Sequence, residues 1–204
     1  MSINNHAREL VRHDGLKDLL TGLMTFPAFL DSALRELKSM ERSGGTRNLF
    51  LISTLERDNA GKMALSIRSG HELSDRTEEQ IYHLAARVLT LGKSISENLR
   101  ANDLVARYTF ADILVLTSGN FEEVQRKLEI IGENLTAGVV GVELHTLNHS
   151  PAVFDSHTTH DSHTTHDSHT THDSHLNQES EQDLRKRVTN AISTLERTMF
   201  THTQ

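Results

Sequence analysis

A chain of 204 residues, of which 36% are hydrophobic, can bury one good core but would be crowded by two full domains. The absence of cysteine excludes a disulfide framework and a thiolate zinc site, and no apolar run has the length of a signal peptide or a membrane span, so we expect a cytoplasmic protein with no membrane span. The formal net charge of −7 argues against a general nucleic-acid binder, and DNA is not an expected partner.

The first half of the chain predicts a helix, a strand and a second helix. Helical spacing of apolar residues runs through 16–40, and Pro27 suits a first helical turn. One face of this helix consists of Phe29, Leu30, Ala33, Leu34, Leu37 and Met40. A buried strand is predicted at 49–52, after a glycine-rich turn. The second helix is predicted over about 76–91, and its inward residues are Ile81, Leu84, Ala85, Val88 and Leu89.

The following segment predicts a hairpin, a third helix and a last strand. Apolar residues at 104–106 and 113–116 indicate two strands joined around 107–112. A helix is expected over about 120–134, and a strand at 137–142.

A repeat then interrupts this pattern. Residues 155–175 repeat Asp-Ser-His-Thr-Thr-His without any apolar residue, so we expect a disordered loop, because the segment cannot offset its chain entropy by burial. Its histidines recur at every third position: His157, His160, His163, His166, His169, His172 and His175. Imidazoles at this density can bind zinc, nickel or copper, or give the loop a pH-responsive charge, and an expansion tolerated in an exposed loop is the alternative. A helical stripe resumes at Leu184, Val188, Ala191, Ile192, Leu195 and Met199.

Four segments in this order resemble the GGDEF domain of diguanylate cyclases. The segment 18–23, Asp-Leu-Leu-Thr-Gly-Leu, is similar to the family's Asp-x-Leu-Thr-Gly-Leu opening. The others are 70–75, which resembles Gly-His-x-x-Gly-Asp, 103–108, which leads into the signature hairpin, and the helix from Leu184. The resemblance covers roughly 14–200, with 1–13 as a short N-terminal segment and 155–175 as a loop inside the domain. It implies an α/β (α+β) fold, a single palm-like domain with a mainly antiparallel sheet flanked by helices.

The signature of active relatives is replaced here. Their hairpin tip reads Gly-Gly-Asp/Glu-Glu-Phe, whereas this chain has Thr109, Phe110, Ala111, Asp112 and Ile113. Phe110 places a ring where glycine lets the backbone approach GTP. The side chain of Ala111 has no oxygen with which to bind a hard cation. The resemblance therefore implies that the hairpin no longer holds a catalytic metal.

Other catalytic positions differ in the same direction. The second metal-binding acid of the family falls on Ser53 or Thr54, and its phosphate-binding Lys and Arg align with Glu196 and Phe200. Phosphoryl transfer depends on metals and cations that neutralise developing charge. We therefore expect no enzyme activity, no required cofactor and no Mg²⁺. Three residues are either remnants of a guanine pocket or a turn and helix cap: Gly70, His71 and Asp75.

A regulatory motif is retained before the hairpin. In the family, an Arg-x-x-Asp at this position is the inhibitory site for cyclic di-GMP, and Arg100 and Asp103 match it. An Arg fork can bond guanine O6 and N7 or a phosphate, and a carboxylate can accept from the guanine N1 and N2 hydrogens. Family sites often recruit another Arg from the next helix or a neighbouring subunit, and Arg126 and Lys127 are the candidates here. The alternative is a surface ion pair.

The resemblance implies a catalytically inactive GGDEF protein that binds cyclic di-GMP and acts as a signalling receptor through a downstream protein. A ligand-independent interaction scaffold is the second interpretation, and a residual cyclase or GTP binder is the third. The sequence does not identify the partner, and a homodimer stays open.

Overall fold

The computed structural model describes residues 13–55, 78–145 and 180–201. These residues form five strands and four helices. In chain order they are β1 (Met24–Thr25), α1 (Phe26–Ser43), β2 (Thr46–Ser53), α2 (Glu78–Asn98), β3 (Leu104–Arg107), β4 (Asp112–Thr117), α3 (Phe121–Glu133), β5 (Gly138–His145) and α4 (Glu181–Thr201).

The strands form one sheet in the order β1-β3-β4-β2-β5. Only the pairing of β1 with β3 is parallel, and the other three pairings are antiparallel. In the register of the central strands, Asn48 pairs with Thr117 and Ser53 pairs with Asp112. The predicted mainly antiparallel sheet flanked by helices is confirmed.

Helices cover both faces of the sheet because side chains alternate along each strand. On β2, Leu49 and Leu51 join a core cluster with the apolar faces of α1 and α4. Phe50 and Ile52 point the other way and join a cluster with α2 and α3. The core is therefore divided by the sheet into two layers.

Helix α1 begins ten residues later than the predicted start at 16. The preceding residues form a turn in which Gly15 and Gly22 have φ values of 98° and 70°, a conformation that interrupts a helix. The side chain of Thr25 caps α1 by accepting from the Ala28 N–H at 3.5 Å. All six residues predicted for its inner face are buried.

Helix α2 continues to Asn98, seven residues beyond the predicted end. Its extension buries Leu91 and Ile95, whereas Leu89, predicted to point inward, is 41% exposed. Leu89 follows the buried Val88 by one residue and so lies about 100° around the helix from it.

Three predicted regions lie outside the described residues. They are the N-terminal segment 1–13 up to residue 12, the segment 70–75, with Gly70, His71 and Asp75, and the repeat at 155–175 with all seven of its histidines. The last helix is confirmed, although Ala191 is only half-buried on its inner face. Among the described residues, no helix combines the length and apolar character needed to cross a bilayer.

Candidate functional site

The Arg100–Asp103 segment forms a tight turn between α2 and β3. The N–H of Asp103 donates to the carbonyl of Arg100 at 3.0 Å, as in a four-residue turn. The carboxylate of Asp103 reaches back, and its Oδ2 accepts from the N–H of Arg100 at 2.8 Å. Asp103 therefore fixes the backbone conformation at Arg100.

The guanidinium of Arg100 is exposed and has no hydrogen-bond or ion-pair partner among the described residues. No ion pair joins it to Asp103, because the Asp103 carboxylate faces the backbone N–H instead. Asp103 is half-buried. A fixed turn thus presents a cationic fork to solvent, and this differs from the surface ion pair considered as the alternative.

Of the two candidate cations on α3, the structure brings Lys127 to the turn. Its Nζ donates to the carbonyl of Asn98, the last residue of α2 and two residues before Arg100. Arg126 is exposed on the same helix and forms no hydrogen bond or ion pair within the described ranges. The cationic groups next to the turn are therefore Arg100 and Lys127.

The hairpin tip lies at the opposite end of β3 and β4, and its centre is filled by Phe110. The ring is 4% exposed. Its cluster of buried neighbours consists of Leu55, Ile81, Leu84, Ala85 and Ala111. The centre of the tip is thus occupied by a buried apolar ring.

A buried ion pair attaches the tip to the N-terminal turn. Arg107 Nη1 lies 2.9 Å from Asp18 Oδ2, and the two side chains are 5% and 6% exposed. The same guanidinium donates to the carbonyls of Thr109 and Phe110 and lies 5.3 Å from the centre of the Phe110 ring. Burial lowers the pKa of Arg107, while the charge of Asp18 acts in the opposite direction.

The end of β2 is hydrogen-bonded to the hairpin tip. The N–H and the hydroxyl of Thr54 both donate to the carbonyl of Ala111 at 3.0 Å. The hydroxyl of Ser53 accepts from the N–H of Leu55 at 3.3 Å. Asp112 is fully buried, and its Oδ2 accepts from the hydroxyl of Thr109 at 2.6 Å.

Helix α4 also contacts the tip, through Glu196 and Phe200. The Tyr108 hydroxyl donates to Glu196 Oε1 at 2.8 Å, and the Tyr108 ring packs edge-on against Phe26 at 5.0 Å between centroids. Phe200 packs against the cluster around Phe110. Within the described ranges, no three His, Asp or Glu side chains lie together as metal ligands would.

Sequence reasoning did not single out one polar group near the Arg100 turn. Asn48 is 1% exposed on β2, and its amide donates to the carbonyl of Gly119 at 2.6 Å. The available signal was an asparagine directly before the apolar run of a predicted strand, because asparagine is depleted in strands.

No protein-family model matches the chain, and neither does any curated protein. Solved structures do resemble it. The GGDEF domain of FimX from Pseudomonas aeruginosa matches with a TM-score of 0.51 and 14% identity, over 89% of this chain and 94% of that one. Diguanylate cyclase SiaD from the same organism, in complex with its activator SiaC, matches with a TM-score of 0.50 and 14% identity, over 96% and 62%. The GGDEF domain of DgcB from Caulobacter crescentus, in complex with cyclic di-GMP, matches with a TM-score of 0.47 and 18% identity, over 66% and 78%.

Proposed function

We propose that this chain, which has the fold of GGDEF domains, is a cytoplasmic receptor that binds cyclic di-GMP without making it and acts through a protein partner. The observation that carries this proposal is the exposed guanidinium of Arg100, held without a partner among the described residues on a turn fixed by Asp103. The position of these residues before the hairpin matches the Arg-x-x-Asp inhibitory motif of the family.

The chemistry of the turn suits a guanine nucleotide with phosphate groups. The Arg100 fork can bond guanine O6 and N7, and the second oxygen of Asp103 can accept from guanine N1 or N2. Lys127 of α3, which bonds to the C-terminal end of α2, adds a flexible cation that suits a phosphate oxygen. Two cations and one carboxylate can therefore bind the guanine base and the phosphate together.

The contacts of the side chains at the positions that correspond to the family's catalytic residues support the absence of cyclic di-GMP synthesis. Phe110 fills the tip, Thr54 bonds to the tip carbonyl and Glu196 bonds to Tyr108. A metal-dependent transfer would need oxygen ligands and cations at these places. The chain instead has an apolar ring, a neutral hydroxyl and a carboxylate.

Calorimetric titration with cyclic di-GMP tests the ligand. Binding is expected for the wild type. Arg100→Ala should weaken it by roughly tenfold to a hundredfold, since a bidentate contact to guanine is worth about 1–3 kcal/mol. Arg100→Lys keeps the charge but loses the fork, and it should also weaken binding. Arg42→Ala, an exposed arginine at the end of α1, should bind as the wild type does.

A second variant separates recognition from turn stability. Asp103→Asn keeps an oxygen that can accept from the Arg100 N–H but removes the charge, so the fold should persist while affinity falls. Absence of heat with the wild type, or unchanged affinity in Arg100→Ala, would refute the receptor and leave the ligand-independent scaffold.

Incubation with GTP and Mg²⁺ or Mn²⁺ tests the loss of synthesis. We expect no cyclic di-GMP by chromatography, because the side chain of Ala111 offers no ligand oxygen. Formation of product would overturn this part of the proposal and favour a residual cyclase.

A further inference from the structure

Two buried polar side chains hold the loop between β4 and α3. The Asn48 amide donates to the carbonyl of Gly119, and the Thr117 hydroxyl accepts from the Gly119 N–H at 3.3 Å. Asn48 and Thr117 are 1% and 4% exposed and pair with each other across β2 and β4. Both backbone groups of Gly119 are thus bonded to the sheet.

This anchor lies at the same end of the sheet as the Arg100 turn. Leu104, the first residue of β3, pairs with Leu116, which directly precedes Thr117. The turn that ends at Asp103 is therefore adjacent to the Asn48–Thr117 pair. The hairpin tip lies at the other end, next to Ser53 and Asp112.

Helix α3 connects the anchor to the candidate ligand site. Asn120 caps the helix directly after Gly119, with its side chain accepting from the Glu123 N–H at 3.0 Å. Lys127 follows about 10 Å along the helix axis, at 1.5 Å per residue, and donates to the carbonyl of Asn98. Leu99, next to Arg100, packs in the same cluster as Leu128 of α3. The position of the loop therefore sets the position of Lys127 relative to the turn.

An asparagine at position 48 lowers the stability of the fold. Its Oδ1 is buried and has no hydrogen-bond partner among the described residues. An unsatisfied buried acceptor is destabilising, whereas an apolar side chain at this strand position would avoid that cost. The contact that Asn48 does make is the one that holds α3.

We infer that Asn48 is a positioning residue for the ligand site, which holds α3 so that Lys127 and the Arg100 turn bind the same ligand. This inference rests on the proposed function. Asn48 itself is buried in the sheet and acts through Gly119 and α3.

A double-mutant cycle tests it, with cyclic di-GMP titrated by calorimetry into the full chain. Asn48→Val and Lys127→Met should each weaken binding by about tenfold, and the double variant should bind no more weakly than either single variant, because both remove one interaction. Both single variants should also reduce the salt dependence of affinity by a similar amount, since each removes the contribution of the same cation.

Thr25→Val is the matched control. Thr25 is also buried, and its hydroxyl also fastens a helix N-terminus, that of α1, at the far end of the sheet. It should lower the unfolding temperature and leave affinity unchanged. If Asn48→Val does not fold, Thr117→Val and Gly119→Ala take its place in the cycle. A Cβ on Gly119 would lie 2.9 Å from Val124 Cγ2, so the loop or the Val124 side chain of α3 must shift.

The outcomes separate the two proposals. A wild type that does not bind cyclic di-GMP refutes the proposed function and, with it, the role of Asn48. A wild type that binds, loses affinity in Arg100→Ala and keeps it in a folded Asn48→Val supports the receptor and overturns the positioning role. Losses that simply add in the double variant also overturn it.

Discussion

At the residue scale, Arg107 joins parts of the chain that are 89 residues apart in sequence. Its guanidinium bonds to the Asp18 carboxylate and to two carbonyls of the hairpin tip. Removing one partner of a buried pair is more costly than removing a surface pair, because the remaining charge stays without compensation. The Asp18 side chain also accepts from the N–H and the hydroxyl of Thr21, so it stabilises its own turn.

We therefore expect Asp18→Ala to lower the free energy of unfolding by about 3–5 kcal/mol, measured by urea denaturation. The matched control is Asp31→Ala, which removes an exposed contact with Arg185 at 3.4 Å. That change should cost less than about 1 kcal/mol. Equal losses in the two variants would mean that the Arg107 pair is not a major source of stability.

A second prediction at this scale concerns pH. The hydrogen bond and charge of Lys38 lower the pKa of Glu181, which lies 2.8 Å from Lys38 Nζ. Because the folded pKa is depressed, the pair stabilises the fold above the unfolded pKa of Glu181, and this contribution is lost as pH falls through the folded pKa. In Lys38→Met, NMR titration should show the pKa of Glu181 rising towards its ordinary value. An unchanged midpoint would exclude this ion pair as the cause.

At the element scale, the β3–β4 hairpin is attached on three sides. Its tip bonds to the end of β2 through Thr54, to the N-terminal turn through Asp18 and to α4 through Glu196. The Phe110 ring at the tip packs between the hairpin and α2. The tip of this hairpin is thus part of the core.

Phe110→Ala should therefore lower the free energy of unfolding by about 3–5 kcal/mol, as expected for a buried aromatic ring. Chemical denaturation followed by circular dichroism measures the change. Ile130→Ala, which truncates a side chain that is 53% exposed, should change stability little. A small loss in Phe110→Ala would show that the tip tolerates an open pocket.

At the scale of the whole molecule, the repeat is inserted between two elements that contact each other. The carbonyl of His145, at the end of β5, accepts a hydrogen bond from Arg187 in the second turn of α4. Strand β5 and helix α4, which precede and follow the insert, are therefore in direct contact with each other. The repeat itself contains no apolar residue.

In-frame deletion of 155–175 should leave the unfolding temperature and the affinity for cyclic di-GMP unchanged, because a segment without apolar residues contributes little to burial. Differential scanning calorimetry and titration measure the two quantities. A lower unfolding temperature would assign the repeat a structural role.

The order of elements could be predicted from local patterns. The inner face of α1 and the hairpin between β3 and β4 are confirmed because apolar periodicity and turn residues are local signals. The predicted start of α1 and the predicted end of α2 were wrong. Glycines with positive φ precede α1 and delay its start, and packing against the sheet extends α2. The positions of Arg100 and Asp103 followed from a motif, whereas the contact of Lys127 with Asn98 did not.

The sequence by itself determined the element types and the apolar faces of α1 and α4, because these depend on residue identity and on spacing within one segment. Only the tertiary structure decided that Phe110 is buried and that the Asn48 amide bonds to the carbonyl of Gly119. These contacts depend on strand register and helix docking. Both arise from packing between distant segments, which no local pattern specifies.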